Sequence, residues 1–200
     1  LLRSLTAILI PIRLQASGLS AAEATSRLGM LNGMVTPILM LPCVFTSALS
    51  MVALPRIAKA EDDPRELRRL LLTCLASCLP VSLACTALVF AAAPFLANTV
   101  YRTAELTSLF RAGAPLTALF AVSHLTGSVT TALGQQKRSM YGAVVVSGTT
   151  LGLTCLLTGM PGLRLYGVIA AQAVGQVLIL LWNMGILALW RKERRAAVQA

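Results

Sequence analysis

Apolar positions in this chain run together rather than alternate. Five stretches carry no charged residue: Leu28–Pro55, Leu70–Tyr101, Ala112–Gln136, Ser139–Leu163 and Leu165–Trp190. Each exceeds the ~20 residues one α-helix needs to cross a ~30 Å hydrocarbon core. Strands crossing a membrane would show ~10-residue segments of alternating polarity instead. The pattern predicts an all-α, polytopic membrane protein with helices at about 1–15, 29–54, 70–93, 105–133, 139–160 and 166–190. The first is expected to be incomplete, because the chain opens inside apolar sequence; residues 1–200 then read as one six-helix unit of a longer protein.

Punctuation refines these elements. Ser20-Ala-Ala-Glu23 fits a capping box opening a short interfacial helix. Pro55 is expected to end the second helix and Pro94 the third, while Pro37, Pro42, Pro80 and Pro115 fall inside helices, where a missing N–H kinks the backbone. Gly148-x-x-x-Gly152 has the spacing of a close helix contact.

Composition agrees. Of 200 residues, 56% are apolar and 12% charged, about half the charge of a typical soluble domain. The net charge of +10 comes from Lys and Arg clustered beside the apolar stretches, so membrane orientation explains it better than nucleic acid does. The loop Arg56–Arg69, the turn 134–138, the tail 191–195 and Arg3 hold 12 of the 17 basic residues. By the positive-inside rule that side is cytoplasmic, as are both ends. The five cysteines all lie in apolar runs and read as buried free thiols.

Candidate chemistry is sparse. No phosphate loop, HExxH or GxSxG motif is present. Cys74, Cys78 and Cys85 share a helix side without the converging partners a metal needs. The chain is therefore not expected to be an enzyme or to hold a metal or cofactor. Arg13 and Arg111 lie in or at the ends of membrane helices, where an ionisable group is a binding candidate and snorkelling is the alternative. Asn32, Thr36, Cys43, Thr46 and Ser50 fall on one side of the second helix, and Gln172, Gln176 and Asn183 on one side of the sixth. Such stripes line water-filled paths or join helices; the sequence leaves both readings open. His124 reads as packing.

Two passages carry a family resemblance. One is Gly29-Met-Leu-Asn-Gly-Met-Val-Thr-Pro37, continuing to Ala53-Leu-Pro-Arg-Ile-Ala-Lys-Ala60 and Glu61-Asp-Asp63. The other is Gly127-Ser-Val-Thr-Thr-Ala-Leu-Gly-Gln-Gln-Lys137, followed by a helix and Leu165-Tyr-Gly-Val168. They resemble the second lobe of the polysaccharide-exporter branch of the MOP superfamily, most of all its stage V sporulation protein B group, relatives of lipid II flippases. The resemblance implies two six-helix lobes around a cavity in the bacterial cytoplasmic membrane. It implies movement of undecaprenyl-linked sugar precursors, for peptidoglycan or polysaccharide, by alternating access. The partners would be the lipid-linked oligosaccharide, membrane lipids and the N-terminal lobe of the same chain. Arg13 and Arg111 would meet the diphosphate, and Asn32 and Thr36 the sugar. The first helix carries no acidic residue, so an ion site there is not implied. A cation-coupled drug exporter of the same superfamily and a non-transporting scaffold for cell-envelope enzymes are the alternatives.

Overall fold

The computed structural model describes residues 2–16, 18–60, 63–160 and 162–199. Every regular element among them is helical: α1 (Leu2–Ala16), α2 (Ala21–Met30), the π-helical turn π1 (Leu31–Val35), α3 (Thr36–Leu39), α4 (Leu41–Lys59), α5 (Pro64–Phe95), a second turn π2 (Leu96–Val100), α6 (Leu106–Ala132), α7 (Gln136–Thr158) and α8 (Arg164–Gln199). Five helical spans are long and apolar enough to cross a membrane: Leu41–Lys59, Arg65–Val100, Leu106–Ala132, Gln136–Thr158 and Arg164–Arg194. The chain is thus a helical membrane protein. The 15 residues of α1 rise about 22 Å, short of the core thickness.

The expected second helix is a broken one. The capping box forms as expected: Glu23 N–H donates to Ser20 Oγ, and Ser20 N–H to the Glu23 carboxylate. These contacts hold the Glu23 carboxyl below its ordinary range, the backbone donor contributing most. From there α2 runs into π1. Pro37 cannot donate to the Gly33 carbonyl. The register slips by one residue, and the Thr36 N–H and Oγ1 both reach the Leu31 carbonyl. Pro42 next denies a donor to Ile38, and the chain bends at Met40 (φ −88°, ψ −3°) before α4 begins.

Two expected ends move outward. Pro55 lies inside α4, which continues to Lys59, and Pro94 lies inside α5, which continues through π2 to Val100. Each proline costs one backbone bond, which neighbouring turns absorb. The basic loop is shorter than the charge pattern suggested. Asp63 caps α5 by accepting from the N–H groups of Arg65 and Glu66, with Pro64 at the first helical position, so Arg65, Arg68 and Arg69 are helical.

α6 is the hub, packing against α4, α5 and α8, while α7 packs on α8 and α1. Gly134 ends α6 with φ +71°: its N–H reaches the Thr131 carbonyl, and that of Gln135 reaches Thr130. This is a Schellman cap, which favours glycine. The α7–α8 hairpin closes through glycines, but not the expected ones. A Cβ on Gly142 would collide with Trp182 Nε1, and one on Gly167 would fall 2.7 Å from the Leu157 backbone, whereas Gly148 and Gly152 face open space. At the basic end of the hairpin, Arg138 makes a bidentate pair with Glu193 (2.9 and 3.3 Å).

Candidate functional site

The bundle has an apolar core at each end and a polar waist between them. One core gathers Leu14, Leu31, Val35, Ala93, Phe110 and Val168 from α1, π1, α5, α6 and α8. The other, at the basic end, gathers Ile57, Leu71, Cys78, Leu125, Leu133 and Trp190. Along α4, α5 and α8 buried hydroxyl and amide side chains fall between the two, and on α6 they interleave with residues of both cores about their junction. On α4 these are Thr46 and Ser50, on α5 Ser82, on α6 Thr117, Ser123 and Thr126, and on α8 Asn183.

Three contacts cross this waist. Ser123 Oγ, on α6, lies 2.5 Å from Gln176 Oε1 on α8. Asn183 Nδ2 reaches Thr126 Oγ1 at 3.5 Å. Thr46 Oγ1, on α4, sits 3.1 Å from His124 Nδ1 and 3.1 Å from the Cys43 carbonyl. The threonine has one proton, so if it donates to Cys43 the imidazole carries its proton on Nδ1 and donates to Thr46. Ser50 Oγ, Thr117 Oγ1 and Asn183 Oδ1 are buried without a protein partner. In hydrocarbon such groups are costly, and three of them in one bundle mark where polarity is retained against stability.

The polar stripe expected along the second helix does not stay on one side. The slip at π1 and the bend at Met40 leave Asn32 exposed, Thr36 and Cys43 half-buried, and Thr46 and Ser50 buried. Thr36 spends its hydroxyl proton on the Leu31 carbonyl. Of the stripe on α8, Gln176 and Asn183 are the members joined to α6.

The four expected binding residues lie at one end of the molecule. Their chain neighbours Leu14, Leu31, Val35 and Phe110 share the core remote from the basic side. Arg13 is exposed in the last turn of α1, where a cation complements the helix dipole. Asn32 is exposed on π1, beside exposed Gly29 and Gly33. Arg111 is exposed on α6 with its guanidinium carbon 5.6 Å from the Phe90 ring centroid on α5. No hydrogen bond, ion pair or ring contact joins any two of the four among the described residues. Ser123, Thr126 and Phe90 escaped the sequence reading. The i, i+3, i+7 spacing of Ser123, Thr126 and Thr130 was the available signal for the first two.

Among the described residues no group of three His, Cys, Asp or Glu side chains could hold a metal ion. Compared with protein-family models, curated proteins and solved structures, the chain matches none significantly.

Proposed function

We propose that this chain is one six-helix lobe of a two-lobe transporter of the MOP superfamily, a flippase moving undecaprenyl-linked sugar precursors across the bacterial cytoplasmic membrane. In this reading α1 supplies the sixth membrane passage beside the five long apolar helices, while α2, π1 and α3 lead into the passage that α4 completes. Arg111 is the observation that carries it. It lies five residues inside α6, about 7.5 Å from the helix start. It is exposed and has no carboxylate partner among the described residues, and an aromatic face steadies it. A cation at that depth is costly against lipid tails and suits a wet cavity that receives an anion. Arg offers a diphosphate a planar, bidentate fork. Arg13 and Asn32 stand at the same end, with Asn32 exposed beside the exposed glycines Gly29 and Gly33.

The chemistry required is binding and release rather than bond cleavage. The diphosphate would pair with Arg111 and Arg13, Asn32 would hydrogen-bond sugar hydroxyls, and the lipid tail would remain in the bilayer. The proline-broken segment α2–π1–α3–α4 and the turn π2 supply bends about which one lobe can rock against the other. The test is reconstitution of the full-length protein in proteoliposomes with defined lipid-linked sugars. Transfer between leaflets is expected from the full-length protein and not from the 200-residue lobe alone. Robust transfer by the lobe alone, or none by the full-length protein with any lipid-linked sugar, overturns the reading.

A further inference from the structure

A second site lies at the opposite end of the bundle. α5 and α8 both pack on α6, and between them they leave a cleft of about 280 Å³. Its walls are Leu71 and Leu75 from α5, Leu125 and Val129 from α6, and Met184 and Leu187 from α8. Two charged residues complete it, Arg68 from α5 and Arg191 from α8. We infer that this cleft binds an anionic glycerophospholipid of the leaflet on the basic side, its phosphate between Arg68 and Arg191 and one acyl chain against the leucine walls.

The helical register fits that division. Arg68 precedes Leu71 by three residues and Arg191 follows Leu187 by four, so each arginine stands about one turn nearer the basic end than its apolar wall. Arg68 lies near the start of the span Arg65–Val100, and Arg191 near the end of the span Arg164–Arg194. Headgroup depth therefore meets charge, and acyl depth meets leucine. The cleft opens sideways, since Leu72 and Met184 on its rim are 54% and 51% exposed. Its volume falls just under the ~300–1,000 Å³ of pockets that enclose a small ligand, which suits a chain entering from the bilayer.

Charge complementarity selects an anion. Neither Arg68 nor Arg191 is paired with a carboxylate among the described residues, where Glu193 is engaged by Arg138 and Asp63 caps α5. A shallower groove on the other side of Arg68 adds Arg65 and Arg69. Basic clefts between membrane helices beside the cytoplasmic leaflet are the usual headgroup sites. The one hydroxyl in the lining, Thr126, already donates to the backbone of its own helix. The inference is independent of the transport reading, because Val129 is eighteen residues from Arg111, about 27 Å along α6.

The test uses the full-length protein in detergent, titrated with phosphatidylglycerol and with phosphatidylcholine, and read as lipid retained per protein. Photoreactive phosphatidylglycerol should crosslink to peptides around Leu71–Leu75 and Met184–Ala188. Arg68→Ala with Arg191→Ala should weaken phosphatidylglycerol retention about ten-fold or more while Lys137→Ala leaves it unchanged. Ala188→Trp, which fills the cleft and keeps both arginines, should abolish the crosslink. Equal retention of the two lipids, an unaltered affinity in the double variant, displacement by inorganic phosphate at matched concentration, or tighter binding of undecaprenyl phosphate through the same arginines would each overturn it.

Discussion

His124 Nδ1 and Thr46 Oγ1, 78 residues apart in sequence, stand 3.1 Å from each other and tie α4 to α6 at the waist of the bundle. Thr46 is 1% exposed whereas the imidazole reaches the surface. The threonine thus anchors a ring whose other nitrogen is free to meet water or a partner.

That contact should be measurable as a coupling. Thr46→Val keeps the shape and removes the hydroxyl, and His124→Phe removes the other partner. Interhelical hydrogen bonds in membrane proteins average ~0.6 kcal/mol, reaching ~1.7. Each single variant should lose a comparable amount in reversible unfolding from mixed micelles. The double variant should lose less than the sum, and strict additivity would show that the two groups do not interact.

The waist also predicts a contrast along α8. Gln176→Leu strips Ser123 of its partner across the interface, and should destabilise by roughly 0.6–1.7 kcal/mol. Asn183→Leu removes only a long contact and eliminates a buried carbonyl oxygen that has no partner. Unfolding should therefore show Asn183→Leu near neutral or stabilising. An equal loss in both would mean that Asn183 Oδ1 is satisfied in the membrane.

Much of this is legible in the sequence. Uncharged runs longer than a bilayer is thick fix five apolar helices, and Ser20 with Glu23 fixes the capped start of α2. Helix ends were harder. Pro55 and Pro94 look like terminators, yet each helix continues, because packing outweighs one lost backbone bond. The side a residue faces was hardest of all. A single extra residue in π1 rotates everything after it by about 100°, so Asn32 and Thr46 part company although a straight helix would align them. In the sequence Arg68 and Arg191 are only members of two separate basic clusters. Their convergence depends on α5 and α8 meeting α6 from two sides, which no local pattern encodes.

The glycines of α7 give a sharp pair. A methyl at Gly142 collides with the Trp182 indole, whose Nε1 donates to the Arg138 carbonyl, so Gly142→Ala should cost ~1–3 kcal/mol through overpacking. Gly148→Ala meets open space and should be neutral or slightly stabilising, since alanine is the better helix former. A thermal unfolding series in one detergent checks both, and a reversed order would mean that α7 is turned about its axis.

Orientation is open to direct labelling. Asp63 and Gln136 are exposed at the basic end, and Ala104 is exposed in the turn before α6. In a background lacking the native cysteines, Asp63→Cys and Gln136→Cys should resist impermeant thiol reagents in intact cells, and Ala104→Cys should react. Ala97, although in the same connection by sequence, is fully buried and would not report. The opposite labelling pattern would invert the positive-inside assignment.

Arg111 bears most directly on transport. If Arg111 pairs with the diphosphate as proposed, truncating it removes a charge-assisted contact, on the order of 1.5–3 kcal/mol, or roughly ten- to a hundred-fold in affinity. Arg111→Ala in the full-length protein should lower flipping per folded molecule by that order while expression holds. Arg111→Lys should recover part of it, keeping the charge and losing the planar fork and much of the stacking on Phe90. The comparison residue must be a cation at the same end with no structural duty. Arg164 fails that requirement, for its Nε is buried without a partner and its backbone adopts φ +42° at the start of α8. Arg102 is exposed in the turn before α6 with φ +51°, and Arg102→Asn keeps a residue tolerant of that conformation. It should transport normally. Phe90→Leu separates positioning from charge: the guanidinium stays but loses its aromatic rest, so the substrate concentration at half-maximal flipping should rise several-fold with little change in maximal rate. If Arg111→Ala, Arg111→Lys and Arg102→Asn all flip at the same rate, Arg111 is a snorkelling anchor and the phosphate must be held elsewhere.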